Sequence, residues 1–465
     1  MSASLRPAAH RAHADHAAGF LGDSARAAWH DQSLWLVRQK RDTATALADW
    51  EALRDAGATL KAHAMSRLAE LLVEFERNAT ANGVVVHWAS DAAEHNAIVH
   101  GILHAAGVTR VSKSKSMLTE ECGLNPFLEA RGIEVIDTDL GERIVQLAKE
   151  PPSHIVMPAI HWKREEIGAL FHRTIGSPAG ESDPDRLTAA ARTHLRETLL
   201  TAGAGITGAN ALVAETGGVV VCTNEGNADL GMHSAPVHIA CVGVEKIVAT
   251  RDDLGVLLRL LARSGTGQPV TSYTTHVNSP KPGGAMHVVL VDNGRTQRLA
   301  DGTMRSALHC IRCGACLNTC PVYRRSGGYS YGHVIQGPIG AILAPAVDLD
   351  AHASLPYAST LCGSCADVCP VRIDIPAQLL AWRARAAAAH RLPRGYGLLM
   401  PVIGWILASR RRYSLAARLA RQVQRVLPAA WLTGRWNPWS RPGRALPVFA
   451  DESFREWARR GKERR

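Results

Sequence analysis

Seven of the ten cysteines in this 465-residue chain fall into two short runs, each ending in Cys-Pro. The first, CIRCGACLNTCPVY (310–323), spaces its thiols as Cys310-x2-Cys313-x2-Cys316-x3-Cys320-Pro321. The second, STLCGSCADVCPVRIDIP (359–376), carries Cys362-x2-Cys365-x3-Cys369-Pro370. Such gaps wrap three thiolates around one iron–sulfur cubane, while the cysteine before the proline turns away to a second cluster. Soft thiolates suit iron in sulfide clusters. A zinc site would show two CxxC pairs without a recurring Cys-Pro. Two iron–sulfur clusters, nominally 4Fe-4S, are therefore expected.

Crossed ligation assigns Cys310, Cys313, Cys316 and Cys369 to the first cluster and Cys320, Cys362 and Cys365 to the second. Aligned from its proline, the second run has Ser359 where the first run has Cys310. Three readings stay open for that place. Ser359 ligates through oxygen, the second cluster is 3Fe-4S, or its fourth iron takes water or an exogenous ligand.

The elements that must position these runs follow from periodicity. Helical spacing holds from about Asp42 to Asn78. Short apolar strands then alternate with helices: GVVVHWA (83–89), a helix over 91–107 opening at Asp91, VTRVSKS (108–114), a helix near 117–130, and IEVID (133–137). Further strands are read in ALVAETGGVVVCTN, PVHIACVGVEKIVAT and MHVVLVDNG. This alternation predicts an α/β domain with a parallel sheet wrapped by helices over 41–299. An α-helical, ferredoxin-like two-cluster domain follows over 300–390, then a basic tail over 391–465. Residues 1–40, rich in Ala, His and Arg, are expected to form a flexible arm. His10, His13 and His16 have metal-like spacing but belong to that arm.

The chain carries 53 Lys/Arg against 42 Asp/Glu, and the tail alone has 17 against 4. Within it, residues 409–427 read as a basic amphipathic helix with Leu415, Leu419, Val423, Val426 and Leu427 near one face. Contact with an anionic membrane surface or an acidic redox partner is one reading, and a solvated packed face is the other. No recognition motif for nucleic acid appears. The N-terminal sequence has no apolar core of a secretory signal. The longest apolar run, residues 396–408, is broken by Gly and Pro and is too short to span a bilayer. With cysteines used for metal, a cytoplasmic protein is expected, reaching the inner membrane face at most peripherally. Cys222 and Cys241 read as buried thiols in Val-rich strands.

Outside the clusters, Glu215, Thr216, Gly217, Gly218 and Asn224 stand at strand and loop ends, where a backbone can approach an anion. The alternative is a tight turn that needs glycine. His161, His233, His238 and Arg295 could serve a carboxylate or a proton, or be satisfied structural residues. No GxGxxG opens a helix, and no Walker phosphate loop is present.

These motifs, with PSHIVMPAIHWKREEIGALF, GITGANALVAETGGVVVCTNEGN, VHIACVGVEKIV, VVLVDNGR and GPIGAIL, resemble the lactate utilisation protein B family. The resemblance covers the chain from about residue 40 and includes the seven-cysteine pattern. It implies a lactate-utilisation (LUD) domain, with a fold like ribose-5-phosphate isomerase and CoA transferases, joined to a two-cluster ferredoxin region. The implied role is electron transfer with two partner proteins in oxidising L-lactate to pyruvate. Two alternatives are the iron–sulfur subunit of another 2-hydroxyacid or glycerol-phosphate dehydrogenase, and an organic-acid-binding redox sensor. Whether the α/β domain itself is catalytic stays open at this point.

Overall fold

The computed structural model describes residues 13–391, 394–434, 437, 440 and 446–463. They divide into two compact units at Ala386 and Ala387. The expected border near residue 299 therefore falls inside the first unit.

The first unit is built on ten strands. They are β1 (Val85–Ala89), β2 (Arg110–Lys113), β3 (Glu134–Asp137), β4 (Ala204–Thr207), β5 (Ala211–Val213), β6 (Gly218–Thr223), β7 (Val237–Gly243), β8 (Ile247–Val248), β9 (Tyr273–Val277) and β10 (Ala285–Val291). Six form an all-parallel sheet in the order β1-β10-β7-β4-β2-β3. Its centre is buried on both faces, as its Val-rich strands require. Along β10, Val288 and Leu290 enter one apolar core while Val289 and Val291 enter the other, because successive strand side chains point to opposite faces. Cys241 on β7 is buried as expected, and burial raises its thiol pKa. A second sheet, β8-β5-β6-β9, pairs β6 antiparallel with both neighbours.

Helices begin where side chains satisfy their first N–H groups. Asp91 accepts from Glu94 N, and Thr250 and Asp253 close a capping box. The helix expected over 117–130 is split in two, Met117–Glu121 and Leu124–Glu129, because Gly123 turns left-handed at φ 63°.

The expected flexible arm is corrected by the structure over its described part. Residues 13–40 are largely helical, in His13–Leu21 and Ser24–Ala44. The second helix buries Ala27, His30, Leu34 and Arg41, a stripe at helical spacing in which Leu34 is the one large apolar residue. His13 N donates to Ser354 Oγ at 3.2 Å, and its ring meets Ser326 and Ser330, so it is a packing residue. His10 lies outside the described residues.

One apolar core runs through Leu34, Trp50 and Leu53, through Val213 and Val220 of the second sheet, and on to Ile339, Ile373 and Leu379 of the cysteine region. The second unit contains the helices Arg394–Leu407, Arg410–Val426, Ala429–Thr433 and Phe454–Glu463. No helix among the described residues is long and apolar enough to cross a membrane.

Candidate functional site

The two cysteine runs adopt one local pattern twice. In the first, Arg312 (φ 61°) and Gly314 (φ 78°) turn left-handed before the short helix Ala315–Thr319. In the second, Leu361 (φ 56°) and Gly363 (φ 85°) do so before Ser364–Asp367. A left-handed non-glycine costs roughly 1–2 kcal/mol, so its recurrence at matching positions marks a backbone imposed by its surroundings. Amide hydrogens aim at sulfur from the first turn and from the residues that follow each Cys-Pro. Arg312 N–H donates to Cys310 Sγ (3.4 Å), Tyr323 N–H to Cys320 Sγ (3.5 Å) and Ile373 N–H to Cys369 Sγ (3.4 Å). At the matching place in the second run, Leu361 N–H donates to Ser359 Oγ at 3.1 Å.

The seven thiols separate into two sets. Cys310, Cys313, Cys316 and Cys369 line one small cavity, walled by Ile155 and Ile339. Cys320, Cys362 and Cys365 line another, together with Ser359 and Leu361. Burial pushes the thiols of Cys313 and Cys365 up to about 12 and that of Cys369 up to about 11. Such sulfurs give up their protons only when a cation replaces them, so metal loading releases protons. Among the described residues no three His, Cys, Asp or Glu side chains converge on a single ion. Soft donors, apolar walls and N–H groups directed at sulfur fit an iron–sulfur group.

Distant segments hold these loops. Arg54 donates from Nε to Cys369 O (3.0 Å) and from Nη2 to Asp367 O (2.7 Å), and Arg41 Nη2 donates to Val368 O (3.1 Å). The irregular stretch 152–162 leaves the α/β domain to wedge beneath the first run. Ser153 O accepts Tyr323 OH at 2.7 Å, and Pro152 O accepts Gln336 Nε2 at 2.8 Å. His154 Nδ1 accepts the N–H groups of Val156 and Met157, each at 3.0 Å, and its Nε2 lies 2.9 Å from Asn318 Oδ1. This fixes a neutral ring, and burial lowers its pKa to about 3.

A larger cavity of about 280 Å³ opens where the parallel strands end. Ligands of open α/β sheets bind beyond the carboxyl ends of the strands. Here Lys115 follows β2, Asp139 follows β3, Asn210 follows β4, Lys246 follows β7 and Arg295 follows β10, and all line the cavity. Arg312 and Cys313 of the first cysteine run close one wall. Arg295 is buried and spends its guanidinium on Glu245 (2.5 Å) and Glu121 (3.0 Å). Burial alone would raise the Glu245 carboxyl, but Arg295, Lys246 and Arg312 bring it down to about 2.

Of the other residues singled out from sequence, Asn224 lines this cavity, whereas Glu215, Thr216, Gly217 and Gly218 do not. They form a tight turn against the helix Leu68–Ala81. Gly217 sits at φ 63°, and a Cβ there would strike the backbone of Ala79. Glu215 accepts from Arg251 N at 3.0 Å, the first N–H of the helix Arg251–Gly265. His238 is buried against Thr207 Oγ1 (2.9 Å), with burial lowering its pKa to about 3. His161 bonds Ser153 Oγ (2.7 Å) and Glu150 (3.0 Å), and His233 bonds Asp229 O (2.8 Å) on its own helix. None of these three histidines lines the cavity. Lys115, Asp139, Lys246 and Arg312 were not legible as a group, although charged residues two to four positions past β2, β3, β7 and β10 were an available signal for all but Arg312.

Two family models match the chain: the LUD domain over residues 72–298 and the 4Fe-4S dicluster domain over 306–373. Lactate utilization protein B of Shouchella clausii is 40% identical over 88% of this chain and 88% of its own. The chain belongs to the lactate utilization protein B family. Family proteins of the same name from Macrococcus caseolyticus (43% identical, covering 75% of this chain and 74% of its own) and Geobacillus thermodenitrificans (39%, covering 89% of each) are equally similar in kind. A solved duf162 family protein from Deinococcus radiodurans aligns with 48% of this chain and 98% of its own, at 16% identity and a TM-score of 0.28. The LUD match spans both sheets, and the dicluster match contains all seven cysteines of the two runs.

Proposed function

We propose that this protein is the iron–sulfur electron-transfer component of a system that oxidises L-lactate to pyruvate, acting with two partner proteins. The observation that carries the reading is the sorting of seven thiols into two sets across the two runs, with Cys369 beside Cys310, Cys313 and Cys316. On this reading those four hold the first 4Fe-4S cluster, and Cys320, Cys362 and Cys365 hold the second, whose fourth place faces Ser359. Bound clusters supply one-electron steps, which suits a two-electron oxidation drained one electron at a time. The chain's own residues keep the site dry with Ile155 and Ile339 and steady the sulfurs with the backbone N–H groups of Arg312 and Ile373. The names of the relatives support lactate as the substrate of the system.

The basic tail is read as a peripheral contact with an anionic membrane surface. Its helix Arg410–Val426 buries no residue and exposes Leu415, Leu419, Val423 and Val426 among arginines. The decisive experiment for the main reading is anaerobic spectroscopy of the clusters with L-lactate, with and without the partner proteins. Reduction that needs both lactate and the partners is expected. Clusters that stay oxidised with every component present would end the proposal.

A further inference from the structure

We infer that the cavity beyond the parallel strands is a binding site for a small monocarboxylic acid, its carboxylate taken by Lys246 and Arg312 beside the first cysteine run. Lys246 lines the cavity half-buried and makes no hydrogen bond or ion pair among the described residues. Arg312 donates to Glu121 through Nη2 (3.3 Å), yet its Nη1 is buried without a partner. Leaving such donors dry and unpaired is costly, and an anion bridging them relieves it. An ammonium and a guanidinium N–H together offer the two donors a carboxylate accepts. Burial lowers the Lys246 pKa, and Arg312 adds to this against the pull of Glu245, as expected of two cations sharing one wall.

The other cations are already engaged. Arg295 is held by Glu245 and Glu121, and Lys115 donates to Val156 O at 2.9 Å. Across the sheet, Asp139 and Glu225 line the cavity with carboxylates of their own. A second negative charge on the ligand would meet them, so the geometry favours a monoanion over a phosphate or a dicarboxylate.

The site adjoins the cysteines directly. Ile155 and Cys313 line both this cavity and the one gathering Cys310, Cys316 and Cys369. Arg312 itself donates its backbone N–H to Cys310 Sγ while its side chain faces the acid. A carboxylate on Arg312 therefore adds negative charge near the first cluster and makes it harder to reduce. This last consequence rests on the reading of those four cysteines as cluster holders.

The test uses the anaerobically purified, cluster-loaded full chain alone, without partner proteins. L-lactate, pyruvate and inorganic phosphate are titrated separately by calorimetry, and the reduced clusters are followed by electron paramagnetic resonance. Saturable binding of a monocarboxylate, no binding of phosphate and a shifted first-cluster signal are expected. Lys246→Met should weaken binding by about tenfold or more at unchanged iron content, and Lys246→Arg should restore most of it. Absence of saturable monocarboxylate binding, tighter binding of phosphate, or equal affinity in Lys246→Met would overturn the inference. Should Lys246→Met lose iron, the wild-type titrations and spectra decide alone. Lactate-driven reduction through partners without binding to the isolated chain would sink the cavity and leave the electron-transfer reading standing. Binding without such reduction would do the reverse.

Discussion

Ser359 Oγ accepts the Leu361 N–H as Cys310 Sγ accepts that of Arg312, so the second run keeps the backbone of a ligand position around an oxygen. Ser359→Cys is therefore expected to complete an all-thiolate second cluster without disturbing the fold, read as four irons in that cluster by Mössbauer spectroscopy. Unchanged iron and spectra in that variant would mean the turn does not present position 359 to the cluster. Cys369→Ser is expected to damage the cluster of Cys310, Cys313 and Cys316, with which Cys369 shares a cavity. Loss confined to the signal of the other cluster would refute the crossed assignment. His154 supplies a pH dependence. Its folded pKa, about 3, lies below the ordinary histidine value of 6.5. Its contribution is thus whole above about pH 6.5 and is lost as pH falls toward 3, because the unfolded chain takes up a proton the folded one refuses. The loss amounts to about 1.4 kcal/mol per pH unit in that window. Stability from anaerobic urea unfolding should fall between pH 6.5 and 5, and His154→Gln should flatten that slope by about one proton's worth. An identical slope in the variant would remove His154 from the explanation.

At the scale of elements, sequence pattern found five of the six strands of the parallel sheet because their apolar runs are short, Val-rich and bounded by turns, and missed β4, whose AGIT holds a single large apolar residue. It missed β9, YTTHV, whose polar alternation reads as loop until β6 pairs with it. It also misread residues 13–40, because the buried stripe of the helix Ser24–Ala44 contains His30 and Arg41 and only one large apolar residue, Leu34. Their partners are backbone carbonyls far along the chain, His30 facing Arg324 O and Arg41 donating to Val368 O, which no local window can anticipate. The sorting of the thiols into two sets was legible because spacing carries it. The cavity was not, since its walls come from the ends of five strands and a cysteine loop. Leu34, fully buried, gives the direct check on the N-terminal helices. Leu34→Ala should cost about 2–5 kcal/mol in urea unfolding, as for a packed core leucine. A cost under about 0.5 kcal/mol, typical of surface positions, would return the segment to an arm.

For the whole molecule, the basic surplus and the exposed apolar stripe coincide in the second unit, and removal of residues 391–465 tests them together. The shortened chain should keep its iron while losing affinity for anionic vesicles, and binding of the full chain should weaken with salt, exposed charges being screened over about 8 Å at physiological ionic strength. Salt-insensitive binding that survives truncation would discard the membrane reading, and retention of binding only to an acidic protein would redirect it.

The contacts between the N-terminal helices and the second cysteine run span a large part of the chain: Arg54 reaches Cys369 across 315 positions and Arg41 reaches Val368 across 327. At roughly 5–20 residues per second of synthesis, the first helices wait some tens of seconds for the surface they cover. A greasy segment left bare for that interval would invite aggregation. Ala, His and Arg on the buried faces of His13–Leu21 and Ser24–Ala44 let those two helices stay largely wet until their partner emerges, so the composition that disguises them as an arm also suits them to be made first and seated last.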